Sequence, residues 1–109
     1  MKKILLICIC LIFLVGCSNE PKYKKLMEEN KHIIIDVRTK EEYDELHISG
    51  AINIPLNELD KNNKFDKNKI IFVYCRSGNR SRTAYNLLKN LGYTVYDLGG
   101  IDNIDLEKE

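Results

Sequence analysis

The sequence predicts an α/β domain with a small, mainly parallel sheet flanked by helices. Three observations carry this. Residues 32–37, built on Ile33-Ile34-Ile35 and Val37, and residues 70–74 are apolar runs of the kind buried on both faces of a sheet. A helical signal follows each of them, a capping motif at 39–42 and the i, i+3, i+4, i+7 series Ala84, Leu87, Leu88, Leu91. A third short apolar run, Thr94-Val95-Tyr96, comes after Gly92, so strands alternate with helices and the connections favour parallel pairing.

The elements follow in chain order. Residues 1–16 combine Lys2 and Lys3 with an apolar run from Ile4 to Val15, the size of a secretory signal peptide and short of the roughly 18 residues a membrane span needs. The run stops at Leu14-Val15-Gly16-Cys17, which resembles the lipobox of bacterial lipoproteins, so Cys17 is expected to become a lipid-bearing N-terminus. The alternative is that Cys17 is one more small apolar residue beside Cys8 and Cys10. Residues 17–22 form a polar tether, and the domain is expected over 23–109. Tyr23, Leu26 and Met27 share one face of a short helix. His32–Val37 is the first strand, and Thr39 with Glu42 makes a capping box that opens a helix running to about Leu46. Ile52-Asn53-Ile54 before Pro55 is a short strand, with one helical turn expected at 56–59 in the polar connection that follows. Ile70–Tyr74 is the second main strand. A helix starts near Ser81 and ends at Gly92 as its C′ residue. Gly99-Gly100 opens the tail.

Length and composition bound the function. The 109 residues, 44% hydrophobic and 30% charged, suffice for one small domain. The net charge is +1, and without Lys2 and Lys3 it becomes −1, so no basic field argues for nucleic acid. With residues 1–16 removed and Cys17 lipidated, Cys75 is the only thiol left in the domain, and no internal disulfide can form there. Such a cysteine is either a buried, inert hydrophobe or a reactive group.

Its neighbourhood favours reactivity. Cys75 lies just beyond the carboxyl end of a central strand, where open α/β sheets bind ligands, and the loop between that strand and the next helix reads Arg76-Ser77-Gly78-Asn79-Arg80. Gly78 and Asn79 readily take left-handed backbone angles, so the loop can curl its amides inward as an anion nest. The helix N-terminus and two arginines add positive potential. All of these favour thiolate over thiol. Asn79-Arg80-Ser81 also matches a glycosylation sequon, a match of little weight beside a lipobox.

DVRTKEEYDELHISGAINIPL at 36–56, VYCRSGNRS at 73–81 and GYTVYDLGGI at 92–101, in this order, resemble the rhodanese-like domain, and the similarity covers nearly everything after the tether. It extends in particular to small exported single-domain rhodaneses of the phage-shock type. The usual tryptophan a few residues after the Gly-Gly pair is absent; Ile104 stands there. The resemblance implies a thiosulfate or persulfide sulfurtransferase in which Cys75 accepts a sulfane sulfur as a persulfide and passes it to a thiol or cyanide. It implies Arg76 to Arg80 as the substrate-binding loop, with Arg80 or Arg76 steering the anion, and no metal or organic cofactor. Asp36, Arg38 and Glu42 then form an ion-pair network near the site, and His47 is a structural hydrogen-bonder. The expected assembly is a monomer, exported and held on the extracytoplasmic face of a membrane through Cys17. A phosphatase or arsenate reductase on the same fold and a non-catalytic, membrane-tethered binding module are the competing readings. Against the phosphatase, Cys75 and Arg80 enclose four residues, whereas the similar dual-specificity phosphatases enclose five.

Overall fold

A computed structural model describes residues 21–109. The expected leader, the lipobox and Cys17 lie outside the described residues. Helix α1 (Lys22–Glu29) leads into β1 (His32–Asp36); α2 (Lys40–Glu45) and β2 (Ile52–Asn53) follow, then a 3-10 turn (Leu56–Glu58), β3 (Ile70–Cys75), α3 (Asn79–Asn90), β4 (Thr94–Gly100) and a second 3-10 turn (Ile101–Asn103). The four strands form one sheet in the order β2-β1-β3-β4, and every pairing is parallel. Each strand therefore ends on the same edge. Among the described residues, no helix is long and apolar enough to cross a membrane.

Alternate strand residues face opposite sides and build two cores. Ile35, Ile71, Val73 and Cys75 pack with Val37, Ala84 and Leu88 beneath α3. Ile34, Phe72 and Tyr74 pack on the other face with Ile48, Ala51, Ile101 and Ile104, and the α1 face of Tyr23, Leu26 and Met27 closes over them. Ile104, in the place of the usual tryptophan, is 3% exposed and belongs to this second core.

The expected capping box is present. The Thr39 hydroxyl accepts from the Glu42 amide at 3.2 Å and the Glu42 carboxylate accepts from the Thr39 amide at 3.0 Å, so two amides that the helix cannot satisfy find partners. Gly92 (φ +94°) follows α3 in the left-handed region, as its position predicts.

Three local readings are corrected. Helix α3 begins at Asn79, two residues earlier than expected, because Gly78 (φ +103°) turns the chain directly into it. Only Gly78 takes the left-handed angle in the loop; no described non-glycine residue has positive φ, so Asn79 is helical. Gly99 and Gly100 do not open the tail but end β4, opposite Tyr74 and Cys75. The tail proper runs on through the second 3-10 turn and returns as an edge, with His47 and Glu109 exchanging both backbone hydrogen bonds at 2.9 and 2.8 Å.

Candidate active site

Strand β3 delivers Cys75 to the carboxyl edge of the sheet, and the chain must then reverse into α3. Gly78 makes that reversal, and the amides on either side of it turn toward sulfur. The Gly78 amide donates to Cys75 Sγ at 3.0 Å and the Ser81 amide at 3.3 Å. Cys75 is 1% exposed. Burial is the largest single influence on the thiol and pushes its pKa up, yet the Ser81 hydroxyl and the amides of Ser81, Gly78 and Ser77 outweigh it together, and the pKa lies below the ordinary thiol value.

Ser81 has one hydroxyl proton and two acceptors, the Gly78 carbonyl at 3.2 Å and the sulfur. A charged sulfur is the stronger acceptor, so the proton turns to the thiolate when Cys75 ionises and back to the carbonyl when it does not. The sequence reading ended the loop at Arg80 and missed Ser81. Its signal was present, since a helix beginning at Asn79 places the Ser81 amide in the first turn, among those with no intrahelical partner.

The two arginines are not equivalent. Arg80 Nη1 and Nη2 donate to Glu42 Oε1 and Oε2 at 2.7 and 3.0 Å, a two-point contact that spends the guanidinium on the capping residue of α2. The Arg80 guanidinium, with help from the Thr39 amide and hydroxyl, holds the Glu42 carboxyl down at about 2. Arg80 still feels the charge of Cys75. Arg76 is exposed, has no partner among the described residues, and borders a concavity of about 170 Å³ with Glu45, Leu46, Ile101 and Asp102. Ser77 and Asn79 are exposed, Ser77 on the loop and Asn79 at the start of α3.

Behind the site, Asp36 and Arg38 form a buried ion pair. Arg38 Nη2 donates to Asp36 Oδ2 at 2.7 Å and to the Leu46 carbonyl at 2.6 Å, while Arg38 Nε and its amide reach Asp36 Oδ1 at 3.0 and 2.9 Å. The expected network thus divides into two pairs, Asp36–Arg38 in the core and Glu42–Arg80 at the site. His47 lies with the tail rather than with Cys75. Its Nδ1 meets the Tyr43 carbonyl at 2.9 Å, its ring stacks on Tyr43 at 3.8 Å, and Nε2 lies 3.3 Å from the Glu109 carboxylate.

A parallel sheet ending in a cysteine held by loop and helix amides is the arrangement the three sequence motifs imply. The profile of the rhodanese-like domain matches residues 20–107. The chain belongs to the rhodanese-like domain family. It is 42% identical over 78 residues to the thiosulfate sulfurtransferase PspE of Escherichia coli (strain K12), covering 68% of this chain and 75% of that protein. A solved structure described as a rhodanese with anions from E. coli superimposes with a TM-score of 0.67 at 39% identity, covering 72% of this chain and 96% of that one. Some relatives are much longer. The adenylyltransferase and sulfurtransferase uba4 of Ogataea parapolymorpha is 40% identical over 82 residues, which cover 72% of this chain and 21% of that protein. This rhodanese domain therefore has sulfurtransferases among its relatives.

Proposed function

We propose that this rhodanese domain is a thiosulfate or persulfide sulfurtransferase working through a persulfide on Cys75. The observation that carries the reading is the convergence of the Ser77, Gly78 and Ser81 amides on Cys75 Sγ, with the thiol pKa lowered despite burial. With thiosulfate, the Cys75 thiolate attacks the outer, sulfane sulfur. A sulfur–sulfur bond forms to Cys75, the bond to the sulfonate sulfur breaks, and sulfite leaves with the electron pair. An acceptor thiolate or cyanide then attacks the terminal sulfur of the persulfide, giving a new persulfide or thiocyanate and returning Cys75 as thiolate. No electrons are gained or lost overall. The amides that hold the thiolate stabilise it both as nucleophile and as leaving group, and Arg76, the loop cation without a partner among the described residues, draws the sulfonate end of the donor.

The test is thiocyanate formation from thiosulfate and cyanide by the full chain and by its Cys75→Ser variant. Wild-type turnover is expected and the variant should show none, because a serine hydroxyl neither ionises in this range nor forms a persulfide. Turnover retained by the variant, or arylphosphate hydrolysis without sulfur transfer by the wild type, would overturn the assignment.

We further propose that the domain works outside the cytoplasm as a monomer, tethered to the membrane through a lipidated Cys17. The apolar run from Ile4 to Val15 and its end at Gly16-Cys17 support the export and the anchor. Cys17→Ser should leave an unprocessed precursor without lipid, visible as a heavier band and loss of metabolic fatty-acid labelling. A normally processed, labelled variant would refute the anchor.

A further inference from the structure

The register of β4 against β3 shifts beside the nucleophile. Val73 opposes Asp97, but the next residue, Tyr74, opposes Gly99, so Leu98 is an extra residue on β4. A bulge of this kind re-aims everything after it. Gly99 takes φ +83° there, and its amide is held by Asp97 Oδ1 at 2.9 Å. The consequence is that Gly100, and not Gly99, stands opposite Cys75.

At that position a side chain has no room. A Cβ on Gly100 would lie 2.6 Å from the Arg76 carbonyl oxygen, 3.3 Å from the Arg76 carbonyl carbon and 3.4 Å from Ser77 Cα. All three are backbone atoms of the loop that carries the Ser77 and Gly78 amides, and backbone cannot swing aside as a flexible side-chain tip can. Gly100 itself is extended (φ −85°), so the obstacle there is space alone, whereas the positive-φ glycine of the bulge has open space, since a Cβ on Gly99 would meet nothing within 4 Å. We propose that Gly100, set in register by the Asp97–Gly99 bulge, is a positioning residue for the nucleophile: its bare Cα lets the Arg76–Ser77 peptide seat against the end of β4, and that seating aims the loop amides at Cys75 Sγ.

Gly100→Ala must push the Arg76 carbonyl away, and the Ser77 and Gly78 amides move with it. The substitution changes no charge around the loop: Arg76 and Arg80 on the loop and α3, Arg38 and Glu42 after β1, Asp97 within β4 and Asp102 in the turn that follows it are all retained. A change in thiol ionisation then reports on the amides. It is read without sulfur transfer, so it stands or falls separately from the proposed activity.

The experiment follows iodoacetamide alkylation of Cys75 against pH in the full chain, quantified by mass spectrometry on the peptide 70–76. Gly100→Ala should raise the midpoint by about one pH unit, a roughly tenfold loss of thiolate below it. Gly50→Ala is the control for stability alone. Gly50 also has positive φ (+88°) and open space, so this variant should lose thermal stability with an unmoved midpoint. Asp97→Ala releases the Gly99 amide without adding a clash and should raise the midpoint by a smaller amount, whereas Asp97→Asn keeps the acceptor oxygen and should restore it. Loss of a negative charge would by itself lower the midpoint, so a rise in Asp97→Ala has to come from geometry. A folded Gly100→Ala protein with the wild-type midpoint overturns the proposal. If that variant does not fold, an unmoved midpoint in Asp97→Ala overturns it equally.

Discussion

Arg76 and Arg80 flank one short loop, and their surroundings assign them different work. Arg80 is held in two-point contact by Glu42 and lies close enough to the thiolate for the two charges to interact, so its removal takes a positive charge from the thiolate and the guanidinium from Glu42. Arg80→Ala is therefore expected to raise the thiol midpoint and lower kcat, because losing a nearby positive charge disfavours thiolate. Arg76 holds no partner among the described residues and should act on the free anion. Arg76→Ala is expected to raise the thiosulfate KM about three- to tenfold with kcat little changed, since an exposed charge contact is lost in ground state and transition state alike. Steady-state kinetics against thiosulfate at fixed cyanide separate the two. A KM effect confined to Arg80→Ala would reverse the assignment. Residue types alone left this choice open, because the partner of Arg80 lies 38 positions away and only the fold brings it near.

At the scale of elements, one residue serves two purposes. Glu42 closes the capping box of α2 and clamps the first turn of α3 through Arg80, so the start of one helix fixes the start of the other. The box was legible from Thr-x-x-Glu, as were the two buried strands from their apolar runs and the end of α3 from Gly92. The bulge in β4 was not. Nothing in Asp-Leu-Gly-Gly announces an extra residue until the partner strand is in place, and the glycine pair reads equally well as a tail. The Glu42 clamp has a pH signature with a definite sign. Its folded pKa of about 2 lies below the ordinary value of 4.5, so the folded state binds the proton less tightly than the unfolded one. The stabilisation is present in full above about pH 4.5 and is lost as pH falls through about 2. Denaturant unfolding across this window should show a falling stability whose slope is shallower in Glu42→Gln. The Asp105–Lys24 pair titrates in the same direction and is unchanged in that variant, so equal slopes would show that Glu42 contributes nothing.

At the scale of the whole molecule, the parallel sheet gathers three strand ends at one edge: the Asp36–Arg38 segment after β1, the Cys75 loop after β3 and the glycine pair of β4. Two packed faces hold those ends still, and a buried ion pair joins them to the rest. Asp36 is fully buried and Arg38 is 5% exposed, so neither charge can turn to water if its partner is removed. Asp36→Ala should accordingly cost about 3–5 kcal/mol of global stability by leaving the guanidinium buried and unpaired. A buried pair need not stabilise a fold relative to an apolar replacement, because desolvating two charges offsets much of their attraction. The double variant Asp36→Ala/Arg38→Met removes both charges and keeps an unbranched chain in the cavity. It should recover a large part of the loss, short of the wild type by about the two hydrogen bonds left without a partner, from the Arg38 amide to Asp36 and from the guanidinium to the Leu46 carbonyl, roughly 0.5–1.5 kcal/mol each, plus any packing defect. Urea unfolding of the wild type and the two variants decides it. A double variant no more stable than Asp36→Ala would mean that the lost stability lies in the hydrogen bonds Asp36 makes at the end of β1 and not in a stranded charge.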